Sequence, residues 1–276
     1  MTTATNIRNF INRTSNNLKY AQRILLYAVP GWGKTSFGAN FKKPLFLMSR
    51  GETGLITLAG NSLVPETDYI QPLDAWSDFI DALRMIEAEG SDHSTLVLDV
   101  LNGFERLCHE HVCEKLYKGD WGPSGFSAFN KGYESALNEL VICQSLLDRI
   151  RIKHNITILM LCHSQIRSFE PPFGTPYKVY APQVHEKTWG VFKGWADIVM
   201  FGNFFEDETT RKKNSAKQTR VLYTQQTMAW DAKHRHGLSP EIYLPEGPAA
   251  AVQEFRNALI QGHQNNQPKE QENAAA

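Results

Sequence analysis

The stretch LLYAVPGWGKTSFGANF, residues 25–41, constrains this chain more than any other. An apolar run enters a glycine-rich turn and leaves it through Lys34, Thr35 and Ser36. Residues 28–35 read A-V-P-G-W-G-K-T, the Walker A spacing of a phosphate-cradling loop, with Ala28 where the common form has glycine. That first position ends a strand, so a methyl group is tolerated there. Across Pro30, Gly31, Trp32 and Gly33 the two glycines let backbone N–H groups curl around a β-phosphate. Lys34 then reaches the β/γ oxygens, the Thr35 hydroxyl is placed to ligate Mg²⁺, and Ser36 continues the same turn. The motif demands a buried strand before it, a helix after it, and a second acidic element downstream.

The rest of the chain meets those demands. RILLYA is an apolar run bounded by Pro30 and Gly31, and Lys34 to Phe41 opens a helix that must stop before Pro44. PLFLMS, DYIQPL, STLVLDVL, ITILMLC and ADIVMF read as further strands, with RVLYTQQ and EIYLPEG as late ones. Between them, Asp74 is expected to cap a helix carrying Trp76, Phe79, Ile80, Leu83 and Ile86 at helical spacing. Other helices are expected near Gly103 to Leu116 and from about Tyr133 to Lys153. Strands alternating with helices give an α/β class with a mostly parallel sheet covered on both faces. The division expected is a lead-in over 1–22, a core over 23–247, a helix over 248–262 and a disordered tail over 263–276.

The acidic element is TLVLDV, a strand ending in Asp99, the form of a Walker B aspartate that holds the Mg²⁺ shell. Val100 follows it, where many hydrolytic enzymes place a water-activating glutamate. Glu52, just after the strand PLFLMS, is the candidate base in its place. The alternative for Glu52 is a solvated loop carboxylate, paired with Arg50.

The order of P-loop, FLMSRGET, TLVLDV, ILMLCHSQ and AKHRHGL resembles the RecA-type ATPase core. It is most similar to phage ATP-binding proteins with an AAA domain, including the fourth Sak group of single-strand annealing recombinases. The resemblance runs from about Arg23 to Gly247 and implies a RecA-like P-loop NTPase core, with ATP and Mg²⁺ bound. It implies Glu52 as base, His163 and Gln165 as sensors of the γ-phosphate, and Lys233 with Arg235 reaching the ATP of a neighbouring subunit in a homo-oligomer, ring or filament. A single-strand-binding protein is a further partner of that implied setting. The other reading of DAKHRHG is a solvated basic turn.

Two segments are rich in aromatic residues. YKGDWGPSGFSAFNKGY holds Tyr117, Trp121, Phe126, Phe129 and Tyr133. QIRSFEPPFGTPYKVYAP holds Arg167, Phe169, Phe173, Tyr177, Lys178 and Tyr180. Interleaved rings and cations are the composition of a platform for single-stranded DNA, and in RecA-like proteins the loop in the second place contacts DNA. The alternative is that the rings pack an insertion onto the body. RKKNSAKQTR, residues 211–220, reads as a solvated hairpin tip, since FFEDE before it offsets part of its charge. CHEHVC, residues 108–113, is not read as a zinc site: helical spacing puts His109 and Cys113 on one face and Cys108 with His111 on another. Cys108, beside Leu107, is expected buried and the histidines exposed.

Lys plus Arg equals Asp plus Glu at 29 each, so no global field draws the protein to polyanions, and any such contact is local. Four cysteines without a framework suit reduced thiols. No apolar run reaches a membrane span and MTTATNIRNF has no signal-type core, so a cytoplasmic location is expected, that of the host bacterium for a phage product, with no membrane partner. The reading that follows is an ATPase acting on single-stranded DNA in annealing or strand pairing. Its alternative is a nucleotide-switched DNA-binding or helicase-loading module with slow turnover. A small-acceptor phosphotransferase is a third, without the Arg-rich lid such enzymes carry.

Overall fold

A computed structural model describes residues 21–205 and 219–265. Most of the expected lead-in, the basic stretch up to residue 218 and the end of the tail from 266 lie outside the described residues. The elements run β1 (Arg23–Ala28), α1 (Lys34–Ala39), β2 (Pro44–Ser49), α2 (Gly54–Gly60), β3 (Asp68–Leu73), α3 (Trp76–Glu89), β4 (Thr95–Asp99) and α4 (Leu101–Tyr117). They continue with α5 (Lys131–His154), β5 (Thr157–Phe169), β6 (Tyr177–Pro182), α6 (Glu186–Trp195), β7 (Ile198–Phe205), β8 (Thr219–Tyr223), β9 (Glu241–Leu244) and α7 (Pro248–Asn265).

Among the described residues the strands lie in the order β3-β2-β4-β5-β1-β7-β8-β9. The run from β3 to β7 is parallel throughout, and β8 and β9 extend it antiparallel. The chain thus builds the expected α/β class, with a mostly parallel sheet flanked by helices. Parallel strands buried on both faces must be apolar on both, which is why RILLYA and ILMLC carry no polar alternation. Leu25 and Tyr27 point into one core with α3, α4, α5 and α6, while Ile24, Leu26 and Ala28 point into the other with α1, Leu55 of α2 and α7. Fully burying each such large side chain contributes about 1.5–3 kcal/mol.

Register places the functional edge. Ala28 pairs with His163 on one side and Gly202 on the other, and Met48 pairs with Asp99. The carboxyl ends of β2, β4, β5, β1 and β7 therefore align, and the P-loop leaves from their middle.

Some expectations change. Asp74 does not cap α3: the N-cap is Ala75, without a side-chain bond, and the Asp74 carbonyl instead accepts from Arg50. The second aromatic segment is no loop, because β5 continues past the sheet edge to Phe169 and pairs with β6 as an antiparallel hairpin. Beyond Cys162 the strand turns from buried to mixed exposure, as a ribbon wet on one face requires. In the first segment Phe126 is fully buried against His109, Tyr117, Trp121 and Tyr133, so most of that insertion is a small core of its own. Phe129 alone among its rings is almost fully exposed, at 94%.

Candidate functional site

The P-loop adopts the backbone its glycines permit. Gly31 and Gly33 have φ of +76° and +95°, the left-handed region closed to most side chains. Trp32 between them is fully buried; its indole Nε1 donates to Asn203 O at 3.1 Å. Its contribution is therefore to pin the loop onto β7. Pro30 stays exposed, and the Ser36 carbonyl accepts from the side chain of Asn40, the C-cap of α1. Lys34 is buried, and its Nζ donates to Ala28 O at 3.1 Å; burial holds its ammonium below the ordinary lysine range, against the pull of Asp99 and Glu52.

Thr35 Oγ1 donates to Asp99 Oδ2 at 2.9 Å, joining the loop to the end of β4. Asp99 is 1% exposed, and burial pushes its carboxyl up to about 6, with the Thr35 bond pulling the other way. Its Oδ1 has no hydrogen-bond partner. A buried carboxylate oxygen left unpaired is costly unless a cation or donor meets it. A hard oxygen from Thr35, a hard oxygen from Asp99 and the adjacent loop of N–H donors form a set that fits Mg²⁺ with a polyphosphate.

Glu52 and His163 join this cluster. His163 Nε2 stands 3.8 Å from Glu52 Oε1, and Glu52 lies near enough to Lys34 and Asp99 to influence both. Arg50 does not pair with Glu52: its guanidinium takes both oxygens of Glu110, at 2.7 and 2.8 Å. The Asn102 side chain, second residue of α4, accepts from the His163 backbone N–H at 3.2 Å and ties β5 to the segment after Asp99. Gln165 departs from its expected place beside His163: its amide donates to Pro182 O across the hairpin.

Lys233 and Arg235 are not in this cluster. Lys233 forms a bridge with Val199, near the start of β7, and its Nζ donates to Gly194 O. Arg235 is exposed, and no described residue forms a hydrogen bond or ion pair with it.

The hairpin forms a second feature. Arg167, Phe169 and Tyr177 line a cavity of about 790 Å³ together with Tyr180, Trp189, Met228 and Trp230. Phe173 at the hairpin tip is 93% exposed, and Lys178 lies in β6 opposite Ser168. Sequence reasoning missed Trp189, Met228 and Trp230, because they come from α6 and from the segment after β8. Tyr133 of α5 stacks on His185 at 4.1 Å with 6° between planes, so the first aromatic segment meets the N-terminus of α6, just after β6.

In the CHEHVC run both cysteines are buried, and burial pushes the Cys108 thiol above its ordinary range. His109 is not exposed as expected. It packs on Phe126 and Tyr133, and burial lowers it to about 4.

Residues 20–236 match the family model described as an AAA domain. No curated protein matches the chain. Among solved structures, the RadB recombinase is similar over 84% of this chain and 90% of that one, at 13% identity and a TM-score of 0.47. The flagellar accessory protein FlaH from Methanocaldococcus jannaschii is similar over 85% and 89%, at 10% identity and a TM-score of 0.43. Among the described residues no helix is long and apolar enough to cross a membrane.

Proposed function

The chain belongs to the AAA-domain family, and from that premise we propose that it binds and hydrolyses ATP and acts on single-stranded DNA, in annealing or strand pairing. The observation that carries the nucleotide part is Asp99: a buried carboxylate with one oxygen on Thr35 and the other unpartnered, at the mouth of a Walker A loop. Mg²⁺ held by Thr35 and Asp99 would supply charge neutralisation across the β- and γ-phosphates. Lys34 holds the same oxygens from the loop side, exchanging its strand carbonyls for phosphate. Glu52 orients a water for attack on the γ-phosphorus and takes its proton as the bond to the ADP oxygen breaks. His163 fixes Glu52 and reads whether the γ-phosphate is present. Lys233 and Arg235 act on the ATP of a neighbouring copy.

The hairpin supports the DNA part, since Arg167, Phe169, Phe173, Tyr177 and Lys178 combine ring faces with cations on one ribbon. The recombination setting, with a phage source and a single-strand-binding partner, rests on the sequence resemblance. Calorimetry with Mg·ATP is the test: uptake by the wild type and none by Lys34→Ala is expected, and no uptake by folded wild type overturns the reading. Hydrolysis measured with and without single-stranded DNA separates an ATPase from a slow nucleotide-switched module.

A further inference from the structure

One cation outside the motif stands against the P-loop. Arg220, at the start of β8, holds its guanidinium carbon 5.8 Å from the Trp32 ring centre. Its Nη1 lies 3.4 Å from where a Cβ on Gly33 would sit, an ordinary contact distance that sets the cation against the loop. Its Nη2 donates to Pro245 O at 3.3 Å and Gly247 O at 3.2 Å, which fixes the fork without neutralising it. No described carboxylate forms an ion pair with Arg220.

The sheet order says which part of a nucleotide this cation faces. Asp99 ends β4, His163 belongs to β5, and Glu52 follows β2, so these three groups assigned to the terminal phosphate lie on the β5 side of β1. Arg220 lies on the other side of β1, beyond β7. A triphosphate that crosses the P-loop with its γ end at Asp99 directs its sugar end toward β7 and β8. We propose that Arg220 binds the phosphate nearest the sugar, acting as the second cation of the nucleotide site. The inference rests on the nucleotide reading above.

Calorimetry with Mg·ADP and Mg·ATP on wild type, Arg220→Gln and Arg220→Lys tests it. Loss of a charge-assisted bond to phosphate weakens binding by about tenfold or more. The expected result is an equal loss for ADP and ATP in Arg220→Gln, with partial recovery in Arg220→Lys. A loss confined to ATP would put Arg220 at the γ-phosphate and overturn the assignment, and unchanged affinity for both would reduce it to a clamp on two carbonyls. A wild type that binds neither nucleotide fails the underlying reading instead. Phenylglyoxal labelling of the unmutated protein, read by mass spectrometry, needs no variant to fold: Mg·ADP is expected to protect Arg220, and labelling unaffected by ADP overturns the proposal.

Discussion

Gly202 shows how narrowly one residue position supports the P-loop. A Cβ there would lie 2.8 Å from Ala28 Cβ and 2.8 Å from Trp32 Cε2, both set by the pairing of β1 with β7. Neither neighbour is a free side-chain end, since Trp32 is buried and bonded to Asn203 O. Gly202→Ala must push the indole, and the loop with it, off the strand. Overpacking of this kind costs about 1–3 kcal/mol. Thermal unfolding should show a lowered Tm and, in addition, no further rise on adding Mg·ATP; a variant that is stabilised by Mg·ATP as the wild type is would disprove the coupling. Glu52 makes the opposite prediction, because it lies beside the site without supporting it. Glu52→Gln should keep ATP affinity and lose turnover by about 10²-fold or more, the usual contribution of a positioned base. Equal turnover in this variant would assign the proton to another group.

At the scale of elements, α4 and the insertion after it are held by rings around His109. Burial, with repulsion from His185, lowers the imidazole from 6.5 to about 4. The unfolded chain therefore takes up a proton near 6.5, while the folded chain resists until about 4. The resulting stability is fully present above 6.5 and is lost as pH falls toward 4, by up to about 3 kcal/mol. His109→Phe fills the same space without titrating, so its unfolding free energy relative to wild type should rise steadily as pH falls from 6.5 to 4; a constant difference would remove His109 from the account. The sequence showed little of this packing. Buried parallel strands announce themselves as unbroken apolar runs, so β1, β2, β4 and β7 were legible, as was Asp99 at the end of one of them. The hairpin was not, because β5 carries on beyond the sheet edge with Ser164, Gln165 and Arg167, a polar composition shared by loops. Phe126 and Phe129, three apart in one segment, have opposite fates that only the contacts with α4 and α5 decide. Arg220 was hidden for a related reason: its neighbours Trp32 and Gly33 are distant in sequence, and the basic run before it suggested solvent.

For the molecule as a whole, the position of Lys233 decides how the site can be completed. Lys233 bridges Val199, whereas the P-loop rests on Gly202 and Asn203 of the same strand, so the two are separated by about 10 Å along β7. The KHR segment is therefore directed toward the amino ends of the strands and the nucleotide edge toward their carboxyl ends. Gly262 of α7 packs against the His236 carbonyl closely enough that a Cβ would lie 2.1 Å from it, and Phe255 of the same helix packs on Phe37 of α1. A single rigid helix thus braces both ends, and the basic segment cannot swing over to its own P-loop without breaking that packing. If Arg235 completes an active site, it completes the one on another copy. Arg235→Ala should then bind ATP normally and turn it over poorly, while Lys34→Ala should do neither. Mixing the two inactive proteins in equal amounts should restore activity, because about a quarter of head-to-tail interfaces would join an intact P-loop to an intact Arg235. Turnover in the mixture no greater than the sum of the separate variants, under conditions where the wild type assembles, would confine both residues to the chain that carries them.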